Sequence, residues 1–223
     1  MNLGIVTSYI VAGVIILGIV AMNINVQNSS AELTLTQMQR QYVANITDML
    51  NDDLSNMGYD VNDVTRDSEG NIKILDCAQA NRIRFYRNLC ETDVECNNPD
   101  RPRELVEWRF LDEEISDSNP NHRTLRRTVT TESPEEEDDI VDENNINVGV
   151  TQFNIQYYDT VGSNNHLTSG LSCGSGLPDI KQLKVTLEVQ SAEPIYQRAQ
   201  GSGRFINSVW EKRFTPQNLQ IED

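Results

Sequence analysis

Ser172 lies in a segment whose spacing matches a known nucleophile motif. Residues 170–174 read G-L-S-C-G, which fits the G-x-S-x-G nucleophile elbow of α/β hydrolases. That elbow requires a strand before the serine, a helix after it and a histidine later in the chain. Both histidines, His122 and His166, precede Ser172 and are expected at the surface in polar loops. We therefore interpret the segment as a Gly/Ser loop that holds Cys173, and we expect no enzyme.

Carboxylates form a second group of residues that could bind a metal ion or a partner. Residues 132–143 contain no Lys or Arg, and their acidic residues are Glu132, Glu135, Glu136, Glu137, Asp138, Asp139, Asp142 and Glu143. Calcium coordination needs oxygen ligands at a fixed spacing in a rigid loop, and this run has no such spacing. Its self-repulsion favours a solvated loop. We predict an acidic loop at 131–147 and no resident cofactor; calcium binding and docking of a basic partner are the alternatives.

The cysteines Cys77, Cys90, Cys96 and Cys173 allow three disulfide pairings. Cys90 and Cys96 are close together in a polar loop, so a local bridge is preferred, which leaves Cys77 for Cys173. Disulfides fit an oxidising, extracytoplasmic compartment. Free thiols are the alternative, and a zinc site is disfavoured because no C-x-x-C spacing occurs.

The charge balance excludes one class of partner. The 223 residues include 18 Lys or Arg and 34 Asp or Glu, for a net charge of −16. Nucleic-acid backbones are bound by surplus basic side chains. No nucleic-acid partner is therefore expected.

A membrane anchor is predicted at the N-terminus, because residues 3–22 form an uncharged run rich in Ile, Val, Leu, Ala and Gly. A helix of this length is about 30 Å long, which matches a bilayer's hydrocarbon core. A cleaved secretory signal would have a basic start and a shorter apolar stretch. The expected topology places a short N-terminus inside and the large acidic remainder outside. The small residues that would allow close helix packing in lipid are Gly4, Ala12, Gly13, Gly18 and Ala21.

Apolar residues continue beyond the anchor at helical spacing, and they are Leu35, Met38, Tyr42, Ile46, Met49, Leu50, Leu54 and Met57. Gly58 is a natural helix terminator. We predict one helix over about residues 3–57, with 23–30 the region where a break would fall. The expected division is 1–30 for the anchor, 31–58 for the amphipathic helix and 59–223 for an extracytoplasmic β-rich domain.

After Gly58 the pattern alternates with a period of two, as in half-buried antiparallel strands. Residues predicted to share one face of a strand are Val106, Trp108 and Phe110; Leu125, Arg127 and Val129; and Phe153, Ile155 and Tyr157. Inward positions are predicted for Leu183, Val185, Leu187 and Val189. The predicted fold class is α+β, with a long N-terminal helix packed on an antiparallel β-sheet domain.

Several phrases, taken in chain order, resemble one family. The helix end DMLNDDLSNMGYD at residues 48–60 is similar to the segment that closes the helix in PilW-type minor pilins and in the J-type minor pseudopilin of type II secretion. The phrases that resemble strands of the same subunits are ANRIRFYRNL, VEWRF, TLRRTV, GVTQFNIQYYD and LPDIKQLKVTLEV. The resemblance implies a non-enzymatic subunit of a type IV pilus or type II secretion pseudopilus. Its partners would be other pilin-like subunits, bound through the N-terminal helix.

The N-terminus departs from the family pattern. The resemblance would place prepilin-peptidase cleavage between Gly4 and Ile5. However, the leader has no Lys or Arg, Ile5 is not aromatic, and the fifth mature position is Tyr9 instead of the family's Glu. These departures favour a minor, tip-like or unprocessed subunit. The alternative is a permanently anchored extracytoplasmic binding or envelope protein that does not polymerise.

Overall fold

Helix α1 spans Leu3–Ser55 without a break. The computed structural model describes residues 3–60, 63–64, 74–87, 103–115, 119–132, 140–147, 149–174, 176–195 and 204–220 of the chain. The prediction of one long helix is confirmed, and it is continuous through residues 23–30. Gly58 adopts a φ of 71° just after the helix, which is the left-handed conformation in which glycine commonly ends a helix.

Antiparallel strands follow the helix. Their bounds are β1 (Tyr59–Asp60), β2 (Asp63–Val64), β3 (Leu75–Gln79), β4 (Arg82–Arg87), β5 (Arg103–Glu114), β6 (Arg123–Glu132), β7 (Ile140–Ile146), β8 (Val150–Tyr158), β9 (Gln182–Gln190) and β10 (Asn207–Phe214). The described strands form sheets in the orders β1-β2, β3-β4-β5-β6-β7 and β10-β9-β8. A 3₁₀ helix at Gln217–Gln220 follows them. The α+β architecture, with a long helix packed on antiparallel sheets, is the predicted one.

The core lies between the C-terminal part of α1 and the two larger sheets. Alternate residues of the long strands enter it, as the period of two predicts. Trp108 of β5 is fully buried, and so are Leu183, Val185, Leu187 and Val189 of β9. Ile46, Leu50 and Leu54 of the helix complete the same cluster, together with Met57 in the turn that follows it.

Strand β7 corrects the predicted acidic loop at 131–147. Ile140–Ile146 pairs with β6, and Ile146 is buried in the core cluster. Asp142 and Glu143 stay exposed on this edge strand, so their charges remain hydrated while the backbone gains ladder hydrogen bonds. Charged residues on an edge strand also hinder unwanted pairing with other chains. Residues 133–139, which include most of the carboxylates, lie outside the described part of the chain.

A disulfide joins Cys77 of β3 to Cys173, the pairing that remains when Cys90 is paired with Cys96. It is flanked by two backbone hydrogen bonds, from Ala78 to the Ser172 carbonyl at 2.9 Å and from Gly174 to the Asp76 carbonyl at 2.8 Å. The segment around Cys173 therefore covers the free edge of β3. Cys90 and Cys96 lie outside the described residues.

Candidate functional site: the helix and its attachment

The first part of α1 is an exposed apolar rod. Large apolar side chains project from it, with Ile15 and Leu17 more than half exposed. It is long and apolar enough to cross a membrane, and its most hydrophobic window is not buried in the domain. Burying such a surface in lipid is favourable because each exposed apolar side chain is otherwise hydrated. The chain thus has a candidate single membrane span followed by a β domain.

Hydroxyl groups in the first turns of the span are satisfied within the helix. Thr7 Oγ1 donates to the Gly4 carbonyl at 3.0 Å, and Ser8 Oγ donates to the same carbonyl at 2.9 Å. Unpaired polar groups are costly in hydrocarbon. These bonds remove most of that cost, so the polar residues do not argue against a span. Ile5, at the expected processing position, is exposed in the same turn.

The small residues predicted for helix packing do not share one face. At about 100° per residue, Gly4 and Gly18 lie about 40° apart around the helix, whereas Gly13 lies opposite Gly4. A Cβ atom added at any of these glycines would meet no atom within 4 Å. Each glycine is therefore open to a neighbour, and Ala12 and Ala21 add small positions at other angles.

The second part of α1 is attached to the domain at several positions along the helix axis. Gln39 is buried, and its amide Nε2 donates to the carbonyls of Val189 and Ile206, the latter at 3.0 Å. Twelve residues further on, Asn51 Oδ1 accepts a hydrogen bond from Lys212 Nζ at 2.7 Å. These bonds fix the helix against β9 and β10.

Asp53 attaches the helix to the sheet through four hydrogen bonds to its carboxylate. Its Oδ1 accepts from Arg87 Nη1 at 2.7 Å and from Arg127 Nη2 at 2.8 Å. Its Oδ2 accepts from Trp108 Nε1 at 2.7 Å and from Arg127 Nε at 2.7 Å. The carboxylate is only 1% exposed. We call Asp53, Arg87, Trp108 and Arg127 the Asp53 cluster.

The charges of the Asp53 cluster are balanced by a second carboxylate, because Arg87 Nε also donates to Glu104 at 2.8 Å. An acidic side chain near a helix C-terminus is disfavoured by the helix dipole. The two guanidinium groups offset this at Asp53. In turn, the hydrogen bonds from Arg127 to Asp53 raise the pKa of Arg127 above its ordinary value, so Arg127 stays charged under all ordinary conditions.

The cluster fixes both the rotation and the axial position of α1 on the sheet. Its ligands come from three adjacent strands, β4, β5 and β6. A shift of one residue turns a helix by about 100°, which would carry Asp53 away from all of them. A buried ion pair is weak support for stability but can specify one arrangement. The signal in the sequence was the position of Arg127 on the same strand face as the apolar residues Leu125 and Val129.

The other predicted sites have different outcomes. Among the described residues around Ser172 there is no strand before it and no helix after it, and its carbonyl pairs with β3. No group of three His, Cys, Asp or Glu side chains could hold a metal within the described residues. His122 is buried, contrary to the surface position expected for it, and its Nε2 lies 3.2 Å from the Gln190 carbonyl oxygen.

A polar cleft of about 400 Å³ opens where the ends of β5 and β6 meet β8 and β9. Its lining includes Asp112, Arg123, Gln152 and Glu188. Arg123 Nε donates to Asp112 at 2.9 Å. The cleft is lined by groups that bind polar ligands, and sequence patterns did not reveal it because its residues come from four separate strands or strand ends.

Comparison with known proteins finds no protein-family model that matches this chain and no matching curated protein.

Proposed function

We propose that this protein is a membrane-anchored, non-enzymatic minor subunit of the pilin or pseudopilin kind. It acts by assembly with other subunits in a type IV pilus or a type II secretion pseudopilus. The helix holds the subunit in the membrane before assembly and packs against neighbouring helices afterwards. The β domain lies on the extracytoplasmic side.

One observation carries the proposal. The helix Leu3–Ser55 is a single element whose first half is apolar and exposed, while its second half is fixed to the sheets through Gln39 and Asp53. An anchor that served only to retain a protein at the membrane would not need to be continuous with the core of the domain. A helix that packs against the helices of neighbouring subunits in a filament, and so sets the position of its domain there, does need a rigid connection to the domain. The order of pilin-like phrases along the chain agrees with it.

The test is the mature N-terminus in cells that make the protein. Mass spectrometry of the chain recovered from membranes and from sheared surface or periplasmic filaments should find a chain that starts at Ile5 in the filament fraction. Exchange Gly4→Leu should block processing and remove the chain from filaments. A matched exchange, Gly13→Leu, places the same side chain at another glycine with no neighbour within 4 Å and should leave processing intact. An intact Met1 and absence from every filament would overturn the proposal.

A second function is favoured by the cleft between the sheets. A permanently anchored extracytoplasmic binding protein would use the polar lining of Asp112, Arg123 and Glu188. Such a protein would keep Met1 and stay in the membrane. The exchange Glu188→Ala would remove a carboxylate from the cleft lining and should abolish ligand binding. Filament recovery separates the two functions, because only the assembly subunit would leave the membrane.

A further inference from the structure

The polar cleft between the two larger sheets has the size and the setting of a small-molecule site. Its volume of about 400 Å³ lies within the range of about 300–1,000 Å³ that is typical of ligand pockets. The five-stranded sheet contributes Phe110 and Arg123 to the lining, and the three-stranded sheet contributes Gln152 and Glu188. Because these residues lie on or beside paired strands, they are held by a rigid framework, which favours a precise site.

The charges in the lining disfavour an ionic ligand. Asp112 and Glu188 are carboxylates, which repel an anion. Arg123 is the basic residue among the described lining residues, and its guanidinium is already engaged. Its Nε donates to Asp112 at 2.9 Å, and its Nη1 donates to the carbonyls of Pro120 and His122 at 2.8 Å each. A cationic ligand would therefore meet a fixed positive charge in the same cleft.

Glu188 is held in place with one carboxylate oxygen left over. Its Oε1 accepts hydrogen bonds from Asn207 Nδ2 at 2.9 Å and from Gln190 Nε2 at 3.3 Å. No hydrogen bond to its Oε2 is found in the part of the chain that the structure describes. A hydroxyl group that donates to a carboxylate makes a shorter and stronger bond than one that donates to a neutral acceptor. Glu188 thus offers a fixed acceptor for a hydroxyl group.

The uncharged part of the lining offers donors and acceptors together. Asn121, Gln152 and Gln190 carry amides, each with two N–H donors and one acceptor oxygen, and Thr151 carries a hydroxyl group. Gln152 is exposed, and no hydrogen bond of its side chain is found within the described ranges. This mixture matches a ligand whose own groups both donate and accept, as several adjacent hydroxyl groups do.

Phe110 gives the lining an aromatic side chain. It is partly buried and packs against the hydrophobic core, so its ring is held in place. The face of an aromatic ring is electron-rich, and the C–H bonds on one face of a pyranose ring pack well against such a surface. A sugar is therefore the class of small molecule that matches both the aromatic ring and the surrounding amides and carboxylates.

We propose that this cleft binds a neutral saccharide. Hydroxyl groups of the sugar donate to Glu188 and exchange hydrogen bonds with the amide of Gln152, while a C–H face of the ring packs against Phe110. The proposal rests on the cleft described for the second function and names its class of ligand. It does not require the chain to stay in the membrane, because a filament subunit would carry the same cleft.

The experiment uses the full chain in liposomes of neutral phospholipid, without glycolipid or sugar-based detergent. The fluorescently labelled protein is applied to an immobilised panel of oligosaccharides. The panel holds neutral hexose and N-acetylhexosamine oligomers, sialylated oligomers, and glucosamine oligomers that carry free amines. The wild type should bind neutral members with a dissociation constant of about 1 mM or below. The sialylated and amine-bearing members should bind no more tightly than their neutral counterparts.

Two exchanges test the residues. Glu188→Gln keeps the shape of the side chain but removes its charge, and should weaken binding at least about tenfold. Gln152→Ala alters an exposed side chain that holds no part of the fold together, and should weaken binding several-fold. The matched controls are Glu211→Gln, at a side chain that is 54% exposed on β10, and Asn154→Ala, about 7 Å further along β8. Both lie outside the lining and should leave binding unchanged.

The proposal fails if no neutral saccharide binds at millimolar concentration, or if binding requires a sialic acid or an amine. It also fails if Gln152→Ala and Asn154→Ala bind equally well, a comparison that does not depend on the stability of Glu188→Gln. None of these results depends on processing at Gly4 or on recovery of filaments. The saccharide proposal and the filament assignment can therefore fail separately.

Discussion

The indole Nε1 of Trp108 lies 2.7 Å from Oδ2 of Asp53, so the central strand of a five-stranded sheet donates a hydrogen bond to the last turns of a long helix. Both residues are buried. Tryptophan in a core usually needs a partner for its N–H group, and here the partner is a carboxylate that also receives two arginines. The helix and the sheet are thus joined by a charged contact inside an apolar core.

Removing the charge of Asp53 should be severely destabilising. In Asp53→Asn the side chain keeps its shape, but Arg87 and Arg127 lose their shared carboxylate, and breaking a buried ion pair costs about 3–5 kcal/mol. Chemical denaturation of the full chain in micelles measures the change in the free energy of unfolding. The neighbouring Asp52 is 67% exposed and 3.7 Å from Arg87, so Asp52→Asn should cost no more than about 0.5 kcal/mol. Equal effects of the two exchanges would contradict the role given to the cluster.

Gly58→Ala should destabilise the helix end for two reasons. Its φ of 71° costs an L-residue about 1–2 kcal/mol, and the added Cβ would lie 2.8 Å from Cγ2 of Ile74. Gly162 has a φ of 81° with no atom within 4 Å of an added Cβ, so Gly162→Ala carries only the first cost. The melting temperature of Gly58→Ala should therefore be clearly lower than that of Gly162→Ala. The reverse order would show that the close approach to Ile74 is easily relieved.

Because the hydroxyl group of Tyr157 is buried, we expect the protein to lose stability at alkaline pH. Its hydroxyl donates to the Gln79 carbonyl at 3.0 Å, and burial raises its pKa above the ordinary value of 10.0. A raised folded-state pKa means that the stabilisation is complete below about pH 10 and is lost as the pH rises further. Tyr157→Phe should be less stable than the wild type at pH 7, by about 1 kcal/mol for the lost hydrogen bond. The deficit should shrink or reverse near pH 11; a deficit that stays constant with pH would contradict this.

A charge placed within the apolar span should reduce membrane insertion. Val14→Lys puts an ammonium group inside residues 3–22, at a cost of about 3 kcal/mol on insertion scales. The fraction of chain that resists alkaline carbonate extraction should fall. Val26→Lys introduces the same charge at a similarly exposed position of the same helix but beyond the span, and should leave extraction unchanged. Equal extraction of both variants would place the membrane boundary elsewhere.

The sequence predicted the helix and most strands because their apolar periods are long and regular. The stripe through Ile46, Leu50 and Leu54 is the buried one, and the strand faces at Trp108 and Leu187 point inward as expected. Strand β7 was missed because its acidic residues indicate a solvated loop. Pairing with β6 decides its conformation instead, and that partner is a tertiary contact which local composition does not encode.

The attachment of the helix was harder to foresee than the helix itself. Asp53 is a polar residue within an amphipathic pattern, and by composition it belongs on the solvent side. Its burial depends on Arg87 and Arg127, which are 34 and 74 residues away in the chain. Only the register of three strands brings these guanidinium groups together. His122 illustrates the same limit, since a polar loop sequence gave no sign that the ring would be buried.

If residues 3–22 span a bilayer, the continuity of α1 also sets the height of the acidic domain above the lipid. Residues 23–34 are exposed throughout and amount to about 18 Å of helix. The headgroup layer on one side of a bilayer is about 5–8 Å thick. For an upright helix this leaves roughly 10 Å of water between the lipid phosphates and the domain, more than the screening length of about 8 Å in physiological salt. In that arrangement the repulsion between the negatively charged domain and an anionic bilayer would be largely screened.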